Sequence, residues 1–156
     1  MNTAFYQNGA YPCGAVLIVD DEENNRMLLR DPLEAEGHAV TEASSGRQAL
    51  NLLSAKLPDV VLLDVMMPQL DGFEVCRRIK ANAEWAHVPV LLVTALTERK
   101  ERLTGIQVGA NDFITKPVDV TDVVLRVRNA VQLKWLFDTA KESASLAGEM
   151  KALQQK

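Results

Sequence analysis

The 156-residue chain is predicted to fold as an alternating β/α domain, a parallel sheet with helices on both faces. Short β-branched apolar runs such as residues 60–63 suit strands buried on both sides of a parallel sheet. Each run is followed by a helical pattern rather than by a hairpin turn. Five such strand-to-helix units in succession give the order of a parallel sheet with right-handed crossovers.

Residues 1–14 show no period, contain Gly9, Pro12 and Gly14, and read as a flexible leader. The first apolar run, residues 15–19, ends at the paired carboxylates Asp20 and Asp21. Helical spacing through Met27, Leu28 and Leu33 follows and stops at Gly37. Pro32 lies inside that pattern, removes a backbone donor and is expected to distort the helix. Residues 39–43 form a second, weaker strand, interrupted by Thr41 and Glu42. Ser45 caps the next helix, whose Ala49, Leu50, Leu52 and Leu53 make an apolar stripe.

The third strand, residues 60–63, stops at Asp64. After Pro68, the Asp71-Gly72 turn opens a helix with Phe73, Val75, Cys76 and Ile79 inward and Arg77, Arg78 and Lys80 outward. Residues 88–93 are the fourth strand and lead to Thr94 and Ala95. The helix over residues 98–108 has few apolar anchors, so it should be the least firmly held, and Gly109 ends it. A short fifth strand, residues 112–115, ends at Lys116 and Pro117. The last helix starts near Val120 and meets no breaker until Gly148, longer than covering one small sheet requires.

A net charge of -4 and a pI near 5.2 argue against direct nucleic-acid binding. Cys13 and Cys76 form neither a disulfide framework nor a metal-spacing motif, which fits a reducing compartment. Cys76 reads as a small core residue. No run approaches the ~20 apolar residues of a membrane span, and a cytoplasmic location is expected.

The chemistry gathers at strand ends. A charge closing a buried strand is costly unless something uses it, and open α/β sheets bind ligands outside the carboxyl ends of their strands. Asp20, Asp21, Asp64, Thr94 and Lys116 would therefore share one rim. Three close carboxylates repel, so they take up protons or recruit a cation. An all-oxygen set without Cys or His selects a hard ion, and Mg²⁺ suits few protein ligands with retained waters. A hydroxyl and an ammonium complete what a phosphoryl group needs. Asp64 is then a candidate nucleophile, forming an acyl phosphate.

The stretches Val19-Asp20-Asp21, Leu63-Asp64-Val65-Met66-Met67-Pro68, Asp71-Gly72, Val93-Thr94-Ala95 and Gly109-Ala110-Asn111-Asp112-Phe113-Ile114-Thr115-Lys116-Pro117 resemble the receiver domain of two-component response regulators, the CheY-like family. The resemblance covers roughly residues 15–133. It implies a flavodoxin-like (βα)5 three-layer sandwich with strand order 2-1-3-4-5, and a phosphoryl group passed to Asp64 from a sensor histidine kinase or a histidine phosphotransfer protein. By the same resemblance Asp21, Asp64 and the backbone carbonyl of Met66 would hold Mg²⁺, Asp20 acting largely through water. Thr94 and Lys116 would contact the phosphoryl group, and the Lys116–Pro117 bond would be cis. Thr94 and Phe113 would couple that event to the face of the fourth helix, fifth strand and fifth helix, which would control a partner or an output domain.

Met66 and Leu96 flank the approach of hydrolytic water and cannot orient it, so slow self-dephosphorylation is expected. An aspartyl-nucleophile phosphohydrolase is the alternative, but Met66 stands where such an enzyme places its general acid. A flavin carrier is disfavoured, since no Ser/Thr/Gly-rich phosphate loop follows the first strand. Residues 134–156 form a C-terminal helical extension. Leu133, Leu136, Ala140, Ser143, Ala147 and Met150 follow steps of three and four, compatible with a weak coiled-coil seam. A homodimer through this seam or through the fourth-helix face is expected.

Overall fold

The computed structural model describes residues 6–7, 11–95 and 98–155. Ten elements alternate: β1 Ala15–Val19, α1 Glu23–Ala35, β2 Ala39–Ala43, α2 Gly46–Ala55, β3 Val60–Asp64, α3 Gly72–Ala81, β4 Val90–Thr94, α4 Arg99–Gln107, β5 Asp112–Thr115 and α5 Val120–Gln154. The five strands form one parallel sheet in the order β2-β1-β3-β4-β5. This is the flavodoxin-like arrangement, with its switch point between β1 and β3. A two-residue antiparallel pairing, Tyr6–Gln7 with Tyr11–Pro12, precedes it. Most of the predicted leader lies outside the described residues, but Gly14 is tied down: its N–H donates to His38 Nδ1 and its carbonyl accepts from Ala39.

Alternation along the strands sorts the core into two layers. Leu17, Val19, Val61, Leu63 and Leu92 face α2 and α3, where Leu53, Val75, Cys76 and Ile79 meet them. Val16, Ile18, Leu62, Val93 and Ile114 face Leu29 and Leu33 of α1 and Val123, Val127 and Val131 of α5. Every residue of β3 and β4 is buried, as expected for central strands covered on both faces.

Several local expectations change. In α1 the core-facing pair is Leu29 and Leu33, whereas Met27 and Leu28 are exposed, Leu28 beside the rim. The helix passes through Pro32 to Ala35, so the missing donor falls on its last turns. The strand expected over residues 88–93 starts at Val90. Pro89 has no N–H to give, although its carbonyl accepts from Val61. Lys80 does not point to solvent: its ammonium donates to the carbonyls of Ala86 and Val88, closing the loop into β4. The last helix continues through Gly148 to Gln154. No described helix is long and apolar enough to cross a membrane.

Candidate functional site

Sheet register alone brings the acids together. Val19 pairs with Leu63, so the next residues along, Asp20 and Asp64, leave the sheet side by side. Thr94 pairs with Thr115, which sets Lys116 one step beyond at the same rim. Ligand atoms of Asp20, Asp21 and Asp64 all lie within 4.8 Å of one another. Lys116 Nζ is 3.0 Å from Asp64 Oδ1 and 3.8 Å from Asp20 Oδ2. The five residues that the strand ends nominate therefore gather at the carboxyl end of the sheet.

Local structure holds each group. The Glu22 N–H donates to Asp20 Oδ1 at 2.9 Å, turning that carboxylate back toward the rim. Asp71 caps α3 by accepting from the Glu74 N–H, which anchors the loop leaving Asp64. A methyl group on Gly72 would sit 2.3 Å from the Asp64 carbonyl oxygen, so the backbone approach at this position requires glycine. In the same loop Gln69 adopts a positive φ of 67°. The Lys116–Pro117 peptide is cis, as the resemblance implies.

Asp20 is 2% and Asp64 4% exposed, while Asp21 is exposed. Burial pushes the Asp64 carboxyl above its ordinary value; the hydrogen bond from Lys116 opposes that, and the charge of Asp20 adds to it. Three carboxylates face one ammonium, an excess of negative charge in a partly dry site. Their oxygens offer no soft donor, so the set fits a hard divalent cation such as Mg²⁺. Asp20, Asp21 and Asp64 could hold one.

Thr94 is buried at the end of β4. The half-buried Phe113 packs on the α2/α3 side of the sheet and lies so close to α4 that a methyl on Gly105 would meet its ring at 2.6 Å. Met66 is 69% exposed; Leu96 falls outside the described residues. Sequence reasoning missed Asn25, which lines an open cavity of about 290 Å³ with Asp20, Leu28, Lys116 and Val120. Its only sequence signal was a place one turn beyond Asp20 on α1.

A doubly wound α/β domain with a carboxylate triad and a lysine at its switch-point rim narrows the class to acid-site proteins of the flavodoxin-like fold. The chain belongs to the response regulator receiver domain family, whose model matches residues 16–128. It is 44% identical over 127 residues to the response regulator PleD of Caulobacter vibrioides, covering 81% of this chain and 28% of PleD. It is 43% identical over 113 residues to the probable transcriptional regulator ycf27 of Guillardia theta, covering 72% of this chain and 43% of that protein. The chain thus spans less than half the length of these curated relatives. A crystal structure of a putative response regulator from Chloroflexus aurantiacus matches with a TM-score of 0.74 at 32% identity, over 77% of this chain and 98% of that one. Chemotaxis protein CheY4 of Vibrio cholerae matches with a TM-score of 0.70 at 29% identity, over 76% of this chain and 98% of that one. Receiver domains of two-component systems are signalling domains rather than enzymes with substrates of their own.

Proposed function

We propose that Asp64 accepts a phosphoryl group from a phosphohistidine on a sensor kinase or phosphotransfer protein, and that the phosphorylated domain controls a partner or output domain. One observation carries this: a buried carboxylate at a sheet rim, with two more carboxylates inside 4.8 Å and an ammonium at 3.0 Å. An Asp64 oxygen attacks phosphorus, the phosphorus–nitrogen bond breaks, and the departing imidazole nitrogen keeps the electron pair and binds a proton. The product is an aspartyl phosphate. Asp20, Asp21, Asp64 and the Met66 backbone carbonyl would hold Mg²⁺, which supplies charge neutralisation for the transferring group. Lys116, already hydrogen-bonded to Asp64, would stay with the new phosphoryl oxygens. The open cavity beside the site and the exposed apolar Leu28 and Val120 at its mouth support a protein donor.

The Thr94 hydroxyl then turns toward the phosphoryl group and Phe113 moves inward, which reshapes the face of α4, β5 and α5. Residues 15–133 act as the receiver, and residues 134–156 as a helical extension that pairs with a second copy. Incubation with phosphoramidate and Mg²⁺, followed by intact-mass spectrometry, should show one phosphoryl group on the wild type and none on Asp64→Asn. An unmodified wild type under those conditions would overturn the reading. Because the exposed Met66 has no polar atom with which to direct water, the aspartyl phosphate is expected to be long-lived. Met66→Asn should shorten its lifetime about tenfold, less than the ~10²–10⁴-fold of a positioned acid or base because an amide only orients the water, and phosphate release measured over time checks this.

A further inference from the structure

Among the described residues, one buried side-chain polar atom has no hydrogen-bond partner: Oε2 of Glu101. Buried polar atoms are hydrogen-bonded as a rule, and a stranded acceptor raises the free energy of the state that contains it. Glu101 lies in the first turn of α4, where the helix N-terminus favours an acid. The helix therefore accounts for the residue type but not for the bare oxygen.

Its neighbours account for it. On one side Glu101 closes a tight gap with Phe73, Thr94, Arg102 and Phe113 that leaves no room for water. On the other it borders a wide cleft with Met66, Pro68 and Asp71 beside the Asp64 loop. Glu101 thus lies between the Thr94 and Phe113 pair and the open cleft. Arg102 shares the gap without forming an ion pair with it. Neither Thr94 nor Phe113 can move without reshaping the gap that Glu101 lines.

We propose that Glu101 is a positioning residue: its stranded carboxylate destabilises the unphosphorylated arrangement of Thr94 and Phe113 and thereby favours phosphoryl capture at Asp64. The inference rests on the phosphoacceptor reading above. Once Thr94 leaves toward Asp64, the gap opens and the Glu101 oxygen gains a hydrogen-bonding partner or water. A group that destabilises one of two states raises, by the same factor, the affinity of any ligand that selects the other.

Two readouts must then move in opposite senses. Glu101→Met keeps an unbranched side chain of similar length and removes the carboxylate. It should melt higher than wild type without ligand, and bind fluoroberyllate with Mg²⁺ about fivefold or more weakly by titration calorimetry. Glu101→Gln, which strands a neutral amide instead of a charge, should shift both in the same sense by less, and it decides the matter if the Met variant does not fold. An acid that merely stabilised α4 would lower the melting temperature when removed. Unchanged fluoroberyllate affinity in the variants, or a lower melting temperature, would overturn the inference while leaving the phosphoacceptor reading intact. A wild type that does not bind fluoroberyllate would refute both.

Discussion

Asp64 combines two opposed influences, burial that favours its neutral form and a 3.0 Å contact with Lys116 that favours its anion, and burial is the larger. A carboxyl whose native value lies above its unfolded value binds protons more tightly when folded. Stability is then lost as pH rises through the unfolded value near 3.8 and on through the raised native one, and at neutral pH the ionised Asp64 weakens the fold. Asp64→Asn should accordingly raise the melting temperature at pH 7, with the gain shrinking on acidification and vanishing below pH 3.8. Mg²⁺ should raise the wild-type melting temperature at pH 7 and that of Asp64→Asn far less, because a ligand stabilises only the state that binds it. Thermal scans at several pH values, with and without Mg²⁺, check both; an Asp64→Asn gain that grows on acidification would contradict the sign. These acids were legible in sequence because each closes an apolar strand. Asn25 and Glu101 were not, since their significance depends on what lies across a gap, which no local pattern encodes. Lys134, 7% exposed and 3.9 Å from Asp59, was likewise invisible.

At the scale of elements, period and punctuation identified all ten, and the errors fall where a neighbour outweighs a pattern. Thr41 and Glu42 made β2 read as weak because it is an edge strand, paired only to β1. Glu42 earns its place through Arg26 and Arg30 of α1, at 3.2 and 3.0 Å, so a residue unfavourable to a buried strand fastens a helix to the sheet edge. Lys80 read as solvated because helical spacing shows only which way a side chain leaves, and its four-carbon stem reaches back to the loop carbonyls. The expectation for α4 survives: its one buried residue is Gly105, while Leu103 and Ile106 are 46% and 61% exposed. With so little apolar anchorage, α4 should open locally at lower free energy than α1, α2 or α3. Native-state hydrogen exchange is the measurement. The amides of α4 should exchange at least about tenfold faster than those of α3, the ratio that a 1.4 kcal/mol difference in opening free energy produces. Aspartyl phosphate or fluoroberyllate should slow them, and equal protection in the two helices would show that α4 is held by contacts other than its own apolar face.

For the molecule as a whole, the sheet accounts for the chain only up to a junction at the amino ends of its strands. There Lys134 meets Asp59 and Asp138, and His87 stacks on Phe137 with ring centroids 4.4 Å apart. At 1.5 Å per residue the 35 residues of α5 extend about 52 Å, and from Asp138 to Gln155 every one is exposed. Leu136, Leu146, Met150 and Leu153 all stand in solvent. The exposed part of this helix has no packed apolar face, which is where most helical stability in proteins comes from, and pairing would supply one. Steps of three and four through Leu136, Thr139, Ser143, Leu146, Met150 and Leu153 put these side chains on one face, a register that differs from the seam expected from sequence in taking Thr139 and Leu146 in place of Ala140 and Ala147. Self-association through this face should therefore raise helicity and mass together. Sedimentation of the 156-residue chain should show a monomer–dimer equilibrium, and ellipticity at 222 nm should increase in magnitude with concentration over the same range. Truncation after Leu133 should abolish both changes while leaving the receiver folded, although it also removes the Lys134 anchor. Leu146→Glu with Met150→Glu keeps that anchor and sets carboxylates opposite one another across the seam, so this double variant should stay monomeric at every concentration. Persistent dimers in the double variant would move the interface off the tail and onto the face of α4, β5 and α5, where Leu103, Ile106 and Leu125 are the exposed apolar residues.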